Sequence, residues 1–154
     1  MAIEDDISFF QRVPTLNLLS RPALRILAIG AQSRYVHGGE ILFNADDSSD
    51  GGFVVQEGTF QLSTRGSAEE DAMVVGPYAL LGEAALLTDC KRPATATALE
   101  PATVLYIPRP LFLKMLDSFP DSARKLRDLF AGRLNQSARD ISAVRAVLGG
   151  YDRE

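Results

Sequence analysis

The chain of 154 residues is long enough for one domain with a proper hydrophobic core, and its hydrophobic fraction of 46 % is ordinary for a globular protein. Its 16 basic and 20 acidic side chains leave a net charge of −4, which argues against a general nucleic-acid-binding surface because such a surface is basic. No uninterrupted apolar run reaches the length needed to cross a bilayer, and the acidic start is unlike a signal peptide, so we expect a cytoplasmic protein without a membrane anchor.

Two short helices are predicted within an N-terminal helical segment, residues 1–32. Apolar residues after the acidic start indicate the first helix: Ile7, Phe9, Phe10 and Val13. Ser20 is well placed to cap the second, since its hydroxyl can accept a hydrogen bond from a first-turn N–H, and Pro22 also fits that turn. Apolar residues then recur as far as Gly30, where the helical pattern ends.

Residues 33–108 show short β-prone runs separated by glycine, proline or aspartate, which is typical of a roll of short strands. The runs lie near residues 34–36, 40–43, 53–56, 59–64, 72–75, 94–98 and 104–107. His37, beside two glycines, is interpreted as a turn residue. The acidic stretch 46–52 lacks the spacing and terminal glutamate of an EF-hand loop, so it predicts a solvated hairpin tip rather than a calcium site. We therefore expect a mainly β fold with flanking helices, a β-roll of the double-stranded β-helix or jelly-roll type.

Segment 80–95 carries most of the functional information. Gly82 and Glu83 stand where a turn leads into a short helix, and Arg92 follows nine residues after Glu83. A helix start presents unbonded N–H groups and a partial positive charge, which suits a phosphate. An arginine can bind two phosphate oxygens at once, and a carboxylate can accept hydrogen bonds from sugar hydroxyls. These residues predict a site for a phosphate attached to a sugar.

A purely structural alternative stays open for the same residues. Glu83 could cap the short helix, and Arg92 could be its internal ion-pair partner. Cys90 in this segment is interpreted as a surface thiol rather than a redox switch, and one cysteine excludes a disulfide within the chain. With one histidine and no Ser-His-Asp set, no metal site and no enzyme is predicted.

After Pro108 the pattern becomes helical, over residues 109–150. One apolar face of a short helix is formed by Leu111, Phe112, Met115 and Leu116. Pro120 ends this helix, and Asp121 is placed to cap a last helix predicted over residues 122–148. The second half of that helix approximates a heptad seam, so we expect it to pair with a second copy in a homodimer.

Segment 80–95 resembles the phosphate-binding cassette of cyclic nucleotide-binding domains, whose pattern is roughly Phe-Gly-Glu-x-Ala-Leu, a short linker and then Arg-x-Ala-Thr. Residues 38–43 (Gly-Gly-Glu-Ile-Leu-Phe) and 53–58 (Phe-Val-Val-Gln-Glu-Gly) extend the resemblance upstream, over roughly 110 residues, the size of one ordinary domain. The resemblance implies that Glu83 binds the ribose 2′-hydroxyl and Arg92 the cyclic phosphate. The implied ligand-binding set is Gly82, Glu83, Ala84, Ala85, Arg92, Pro93 and Ala94.

The resemblance further implies a regulatory sensor that signals by rearranging its C-terminal helices, with a cyclic nucleotide as ligand and no other cofactor. The base would lie against Val74 or Leu80, and Arg133 or Asn135 of the last helix could act as a lid. cAMP is favoured over cGMP because relatives selective for cGMP often place a threonine hydroxyl where Pro93 stands. The sequence ends at Glu154 without a helix-turn-helix, so we expect no direct DNA binding and an unknown protein as effector, including a kinase, cyclase or DNA-binding protein encoded elsewhere.

Two residues depart from the family pattern. Pro93 has no backbone N–H, whereas relatives use that N–H to hold the phosphate. One lost hydrogen bond to a charged group is worth about 1.5–3 kcal/mol, or about one to two decades in affinity. Pro93 therefore favours the alternative of a degenerate, ligand-free scaffold for dimerisation or protein interaction. Asp46 stands near a glycine of the relatives, and aspartate tolerates the left-handed conformation.

Overall fold

The computed structural model describes residues 3–64 and 72–132. Helix α1 spans Ile3–Phe10, and a 3-10 turn follows at Leu16–Leu18. Helix α2 spans Arg21–Gly30 and begins as the sequence predicts, because the Ser20 side chain accepts a hydrogen bond from the N–H of Ala23. Helix α3 spans Arg109–Ser118 and α4 spans Pro120–Gly132.

Within the described residues, eight strands form two antiparallel four-stranded sheets, which confirms the predicted β-roll. The strands are β1 Gln32–Val36, β2 Ile41–Phe43, β3 Gly51–Glu57, β4 Phe60–Thr64, β5 Met73–Val75, β6 Leu80–Leu81, β7 Ala94–Ala98 and β8 Ala102–Pro108. One sheet has the order β1-β8-β3-β6 and the other β2-β7-β4-β5. The two-residue strand β6, which opens segment 80–95, was not predicted because so short a pairing leaves no periodicity in the sequence.

Strands β3 and β8 separate two cores. Phe53 lies opposite Tyr106, and both face the space between the sheets, whereas Val54 lies opposite Leu105 and both pack with the helices. The helical core also contains one large apolar side chain or more from each α-helix, among them Phe10, Leu24, Phe112 and Leu126. Because both faces of β3 are covered, its central residues form a continuous apolar run.

The acidic stretch 46–52 exposes its aspartates, as the sequence predicts, but it is not a hairpin tip, because β2 and β3 lie in different sheets. The N–H of Asp46 donates to the carbonyl of Arg92, and the N–H of Arg92 donates to the carbonyl of Asp47, both at 2.8 Å. Ser48 bridges Lys91 in the same antiparallel sense. The stretch is therefore docked on segment 80–95. Asp46 has φ of 71°, the left-handed conformation expected of a residue in a glycine position.

The last helix begins two residues earlier than the sequence predicts. Helix α4 begins at Pro120, so Asp121 lies in its first turn, where it pairs with Arg124, instead of capping it. The predicted heptad seam and the rest of helix 122–148 lie outside the described residues beyond Gly132. None of the helices in the described ranges is both long and apolar enough to cross a membrane.

Replacing Ser20 with Ala is expected to lower the free energy of unfolding by about 1 kcal/mol, because α2 loses its side-chain cap. Ser20→Asp supplies another capping oxygen and is the matched control, expected to stay close to the unsubstituted protein. Urea unfolding followed by circular dichroism measures both. Equal stability of the Ala and Asp variants would show that the cap does not hold α2.

Candidate functional site

Gly82 provides the turn from β6 into the 3-10 turn Ala84–Leu86. Its φ of +81° is a conformation that other residues adopt only at a cost. A Cβ atom added there would lie 2.2 Å from Nη1 of Arg92, so a side chain at this position would also expel the guanidinium. The glycine of the sequence motif is therefore required twice, for the turn and for the close approach of Arg92.

The Arg92 side chain is buried, with 4 % of its surface exposed. Its Nη2 donates to the carbonyl of Gly51 at 2.8 Å. The guanidinium carbon lies 4.4 Å from the ring centroid of Phe43 and 5.5 Å from that of Phe53, so the cation rests on aromatic faces. Two backbone hydrogen bonds to the acidic stretch hold the main chain of Arg92 in place.

Two nitrogen atoms of Arg92 lack a partner. Within residues 3–64 and 72–132, neither Nε nor Nη1 has a hydrogen-bond partner, and no ion pair joins the guanidinium to a carboxylate. Burial lowers the pKa of Arg92 and nearby Asp50 opposes that shift, but an arginine side chain stays protonated in proteins. A buried cation with unsatisfied donors is costly, and an anionic acceptor would satisfy them.

A cavity of about 110 Å³ lies beside this guanidinium. Within the described ranges its apolar lining consists of Phe43, Leu62, Leu80 and Leu81. The remaining wall consists of Gly82, Arg92, Pro93 and Ala94, all of which the sequence assigned to the ligand. Segment 80–95 thus contributes both the cation and most of the cavity wall.

The two predicted base-contacting residues lie in different places. Leu80 lines the cavity, whereas Val74 is 59 % exposed and is not part of the lining. The register explains this difference, since Val74 lies opposite Gln61 while the cavity residue Leu62 lies opposite Met73. Side chains alternate across a strand, so Val74 is on the outer face. The sequence interpretation missed Leu62, which the alternation of apolar and polar residues within the predicted run 59–64 could have identified.

Glu83 is half-buried and does not line the cavity. Its Oε2 accepts a hydrogen bond from Oγ1 of Thr15, which belongs to the N-terminal helical segment. Glu83 makes no side-chain cap on the 3-10 turn that follows it and no ion pair with Arg92 is formed in the described structure. The purely structural alternative raised by the sequence is therefore not what the fold contains.

The main chain of the 3-10 turn is internally bonded. The N–H of Ala85 donates to the carbonyl of Gly82 at 3.0 Å, and the N–H of Leu86 donates to that of Glu83 at 3.2 Å. Ala84, the first residue of this turn, is half-buried. Accepting a phosphate on the Ala85 amide, as the resemblance implies, would require that bond to Gly82 to open.

Arg109 is a site residue that the sequence interpretation missed. From the start of α3, its Nε donates to the carbonyl of Ala85 at 2.9 Å and its Nη2 donates to the carbonyl of Ser49 at 2.7 Å. Its own N–H donates to the carbonyl of Asp50 at 2.8 Å. Arg109 thereby joins segment 80–95 to the acidic stretch before β3 and to α3. A cation at a helix N-terminus opposes the helix dipole, which was the available signal.

The two predicted lid residues, Arg133 and Asn135, lie outside the described residues. Cys90 is half-buried, and its carbonyl accepts a hydrogen bond from Oγ of Ser49, so it is more enclosed than a surface thiol. His37 lies in a turn, with its carbonyl accepting from the N–H of Glu40. Among the described residues, no three side chains of histidine, cysteine, aspartate or glutamate are grouped as metal ligands would be.

Known proteins resemble this chain over most of its length. Residues 33–119 match the family model described as the cyclic nucleotide-binding domain. The HTH-type transcriptional regulator Cmr of Mycobacterium tuberculosis is 30 % identical over 119 residues, which cover 76 % of this chain and 48 % of that protein. The chain thus spans about half the length of this curated relative.

Two solved structures share the fold and are matched over nearly their whole length. A cyclic nucleotide-binding-like protein from Brucella abortus has 31 % identity and a TM-score of 0.63, covering 73 % of this chain and 98 % of that chain. The N-terminal domain of a transcriptional regulator from Streptomyces coelicolor has 28 % identity and a TM-score of 0.72, covering 86 % and 94 %. Since the family match includes more than half of the residues and both ends of segment 80–95, the chain belongs to the cyclic nucleotide-binding domain family.

Proposed function

We propose that this domain is a regulatory sensor that binds cAMP in preference to cGMP. The buried Arg92 carries the proposal, because it lines a cavity and two of its nitrogen atoms have no hydrogen-bond partner among the described residues. A cyclic phosphate would supply an acceptor in the cavity that Arg92 and Gly82 line. The ribose would be bound by Glu83 and the base would contact the apolar wall that includes Leu62 and Leu80.

Binding would have to move the cassette, meaning segment 80–95. The N–H of Ala85 donates to the carbonyl of Gly82, so this bond must open before that amide can hold a phosphate. Arg109 connects the cassette to α3, so that movement would be transmitted to the C-terminal helices. A ligand shifts this equilibrium only through its different affinities for the two arrangements.

The signal would pass to a protein effector, and the domain itself would carry out no chemistry. Homodimerisation through helix 122–148, a cytoplasmic location and the absence of direct DNA contact stay predictions. A ligand-free scaffold is the second candidate function, favoured by one observation: Pro93 lines the cavity at the position where relatives offer a backbone N–H.

Replacing Arg92 with Met removes the cation and keeps an apolar side chain in its place. We expect the affinity for cAMP to fall about 100-fold or more, since charge-assisted hydrogen bonds contribute about 1.5–3 kcal/mol each. Isothermal titration of cAMP and cGMP into the unsubstituted protein and the variant measures this loss and the order of the two ligands.

Stability without ligand is the control for the same variant. The free energy of unfolding of Arg92→Met is expected to stay within about 1 kcal/mol of the unsubstituted protein, because an unpaired buried cation leaves together with one hydrogen bond. A loss above about 3 kcal/mol, combined with no heat from either nucleotide, would instead support the ligand-free scaffold.

Pro93→Ala restores the missing backbone N–H at the cavity wall. We expect cAMP to bind about 10- to 100-fold more tightly to this variant, the worth of one hydrogen bond to a charged group. Pro77→Ala replaces an exposed proline outside the cassette and is the matched control, expected to bind as the unsubstituted protein does. Unchanged titration of the Pro93 variant would mean that the phosphate does not reach this amide.

Arg109→Ala tests how the cassette is linked to α3. The unsubstituted protein is expected to show a cAMP-dependent change in amide hydrogen exchange across Arg109–Ser118, and the variant is expected to lose it, since three side-chain hydrogen bonds disappear. Lys114→Ala removes an exposed cation from the same helix and serves as the control. An α3 response that persists in Arg109→Ala would assign the coupling to other contacts.

A further inference from the structure

Thr15 connects the N-terminal helical segment to the cassette. Its Oγ1 donates a hydrogen bond to Oε2 of Glu83, 68 positions further along the chain. The side chain is nearly enclosed, with 6 % of its surface exposed. This contact occupies an oxygen of the carboxylate that the proposed function assigns to the ribose.

The backbone at Thr15 is held in an unfavourable conformation. Its φ of 80° and ψ of −54° are close to those of a strained γ-turn, which is rare for a β-branched residue. Such conformations cost about 1–3 kcal/mol and persist only where the surroundings enforce them. Here Val13 and Leu16, both 0 % exposed in the helical core, fix the chain on either side of Thr15.

The direction of the Glu83 side chain decides what this contact does. Arg92 and Gly82 line the cavity, whereas Glu83 lies outside the lining while its carboxylate is bonded to Thr15. A ribose whose phosphate lies on Arg92 would therefore find the carboxylate turned toward the N-terminal segment. To accept from a sugar hydroxyl in the cavity, Glu83 has to leave Thr15.

We propose that the Thr15 hydroxyl competes with the ribose 2′-hydroxyl of the ligand for the Glu83 carboxylate. This competition determines the affinity for the cyclic nucleotide and how much the 2′-hydroxyl contributes to that affinity. This inference rests on the proposed function. Without ligand the Thr15 hydroxyl donates to Glu83, and when a cyclic nucleotide binds, the sugar hydroxyl takes the place of the Thr15 hydroxyl. The exchange conserves one hydrogen bond to the carboxylate, so the 2′-hydroxyl contributes less than it would to an unoccupied Glu83.

Titrations of cAMP and 2′-deoxy-cAMP into the full chain test the competition. Thr15→Val keeps the β-branched shape and removes the donor, and Thr15→Ser keeps the donor. We expect Thr15→Val to bind cAMP about tenfold more tightly than the unsubstituted protein, the worth of one hydrogen bond to a charged group. The gain should be absent with 2′-deoxy-cAMP, which has no hydroxyl for Glu83, and Thr15→Ser should behave as the unsubstituted protein does.

Each other outcome of these titrations supports or overturns the competition between Thr15 and the ligand hydroxyl. Equal or weaker cAMP binding by a folded Thr15→Val, or the same gain with the deoxy analogue, overturns the competition and leaves the proposed function intact. Binding of cAMP by Thr15→Val, with none by the unsubstituted protein, gives the competition its strongest support. No binding by any of these proteins, with folding confirmed, overturns the proposed function and this inference together.

Hydrogen exchange on the unsubstituted protein gives a second measurement that does not depend on the folding of a variant. With cAMP, the amides of the 3-10 turn Leu16–Leu18 should exchange faster, because Thr15 has lost its partner. With 2′-deoxy-cAMP at equal occupancy they should not. Identical exchange under both ligands would overturn the competition, since the ribose hydroxyl would then have no effect on Thr15.

Discussion

The buried guanidinium of Arg92 is the constraint on which the site depends. Only one of its donor nitrogens has a hydrogen-bond partner in the described structure, the carbonyl of Gly51, and two aromatic faces replace the carboxylate that a buried arginine ordinarily has. Burying a cation without a carboxylate partner lowers the stability of the fold, and the packing of the surrounding β-roll offsets this cost. The anionic ligand of the proposed function would supply an acceptor for the donors that have none among the described residues.

Two further contacts connect the cassette to the helical segments that precede and follow the roll in the sequence. Arg109 joins the cassette to α3, and Thr15 joins it to the segment between α1 and α2. Both contacts are made to groups of the 3-10 turn or the residue before it. A change in the short turn therefore alters hydrogen bonds at both helical segments, whereas the two β-sheets hold the position of Arg92. In the proposed mechanism the β-roll and Arg92 keep their positions, and the 3-10 turn of the cassette is the part that moves.

Pro93 bears on the strength of binding more than on its location. It lines the cavity next to Arg92 and Ala94, so the shape of the wall is retained while one donor is lost. The competition proposed at Glu83 lowers affinity in the same direction. A receptor with both features would respond to higher ligand concentrations than one with neither. The two effects are independent in physical origin, since one concerns the phosphate and the other the sugar.

The sequence by itself determined the local features. The glycine turn, the spacing from Glu83 to Arg92, the Ser20 cap and seven of the eight strands follow from residue types within a few positions of one another, and the resemblance pointed to the family. Only the tertiary structure decided which groups meet across the chain. The outer-face position of Val74 depends on strand register, and the contact of Thr15 with Glu83 joins residues 68 positions apart. Hydrogen-bond partners of that kind leave no periodicity or composition signal, because they are set by how the segments pack and not by their neighbours in sequence.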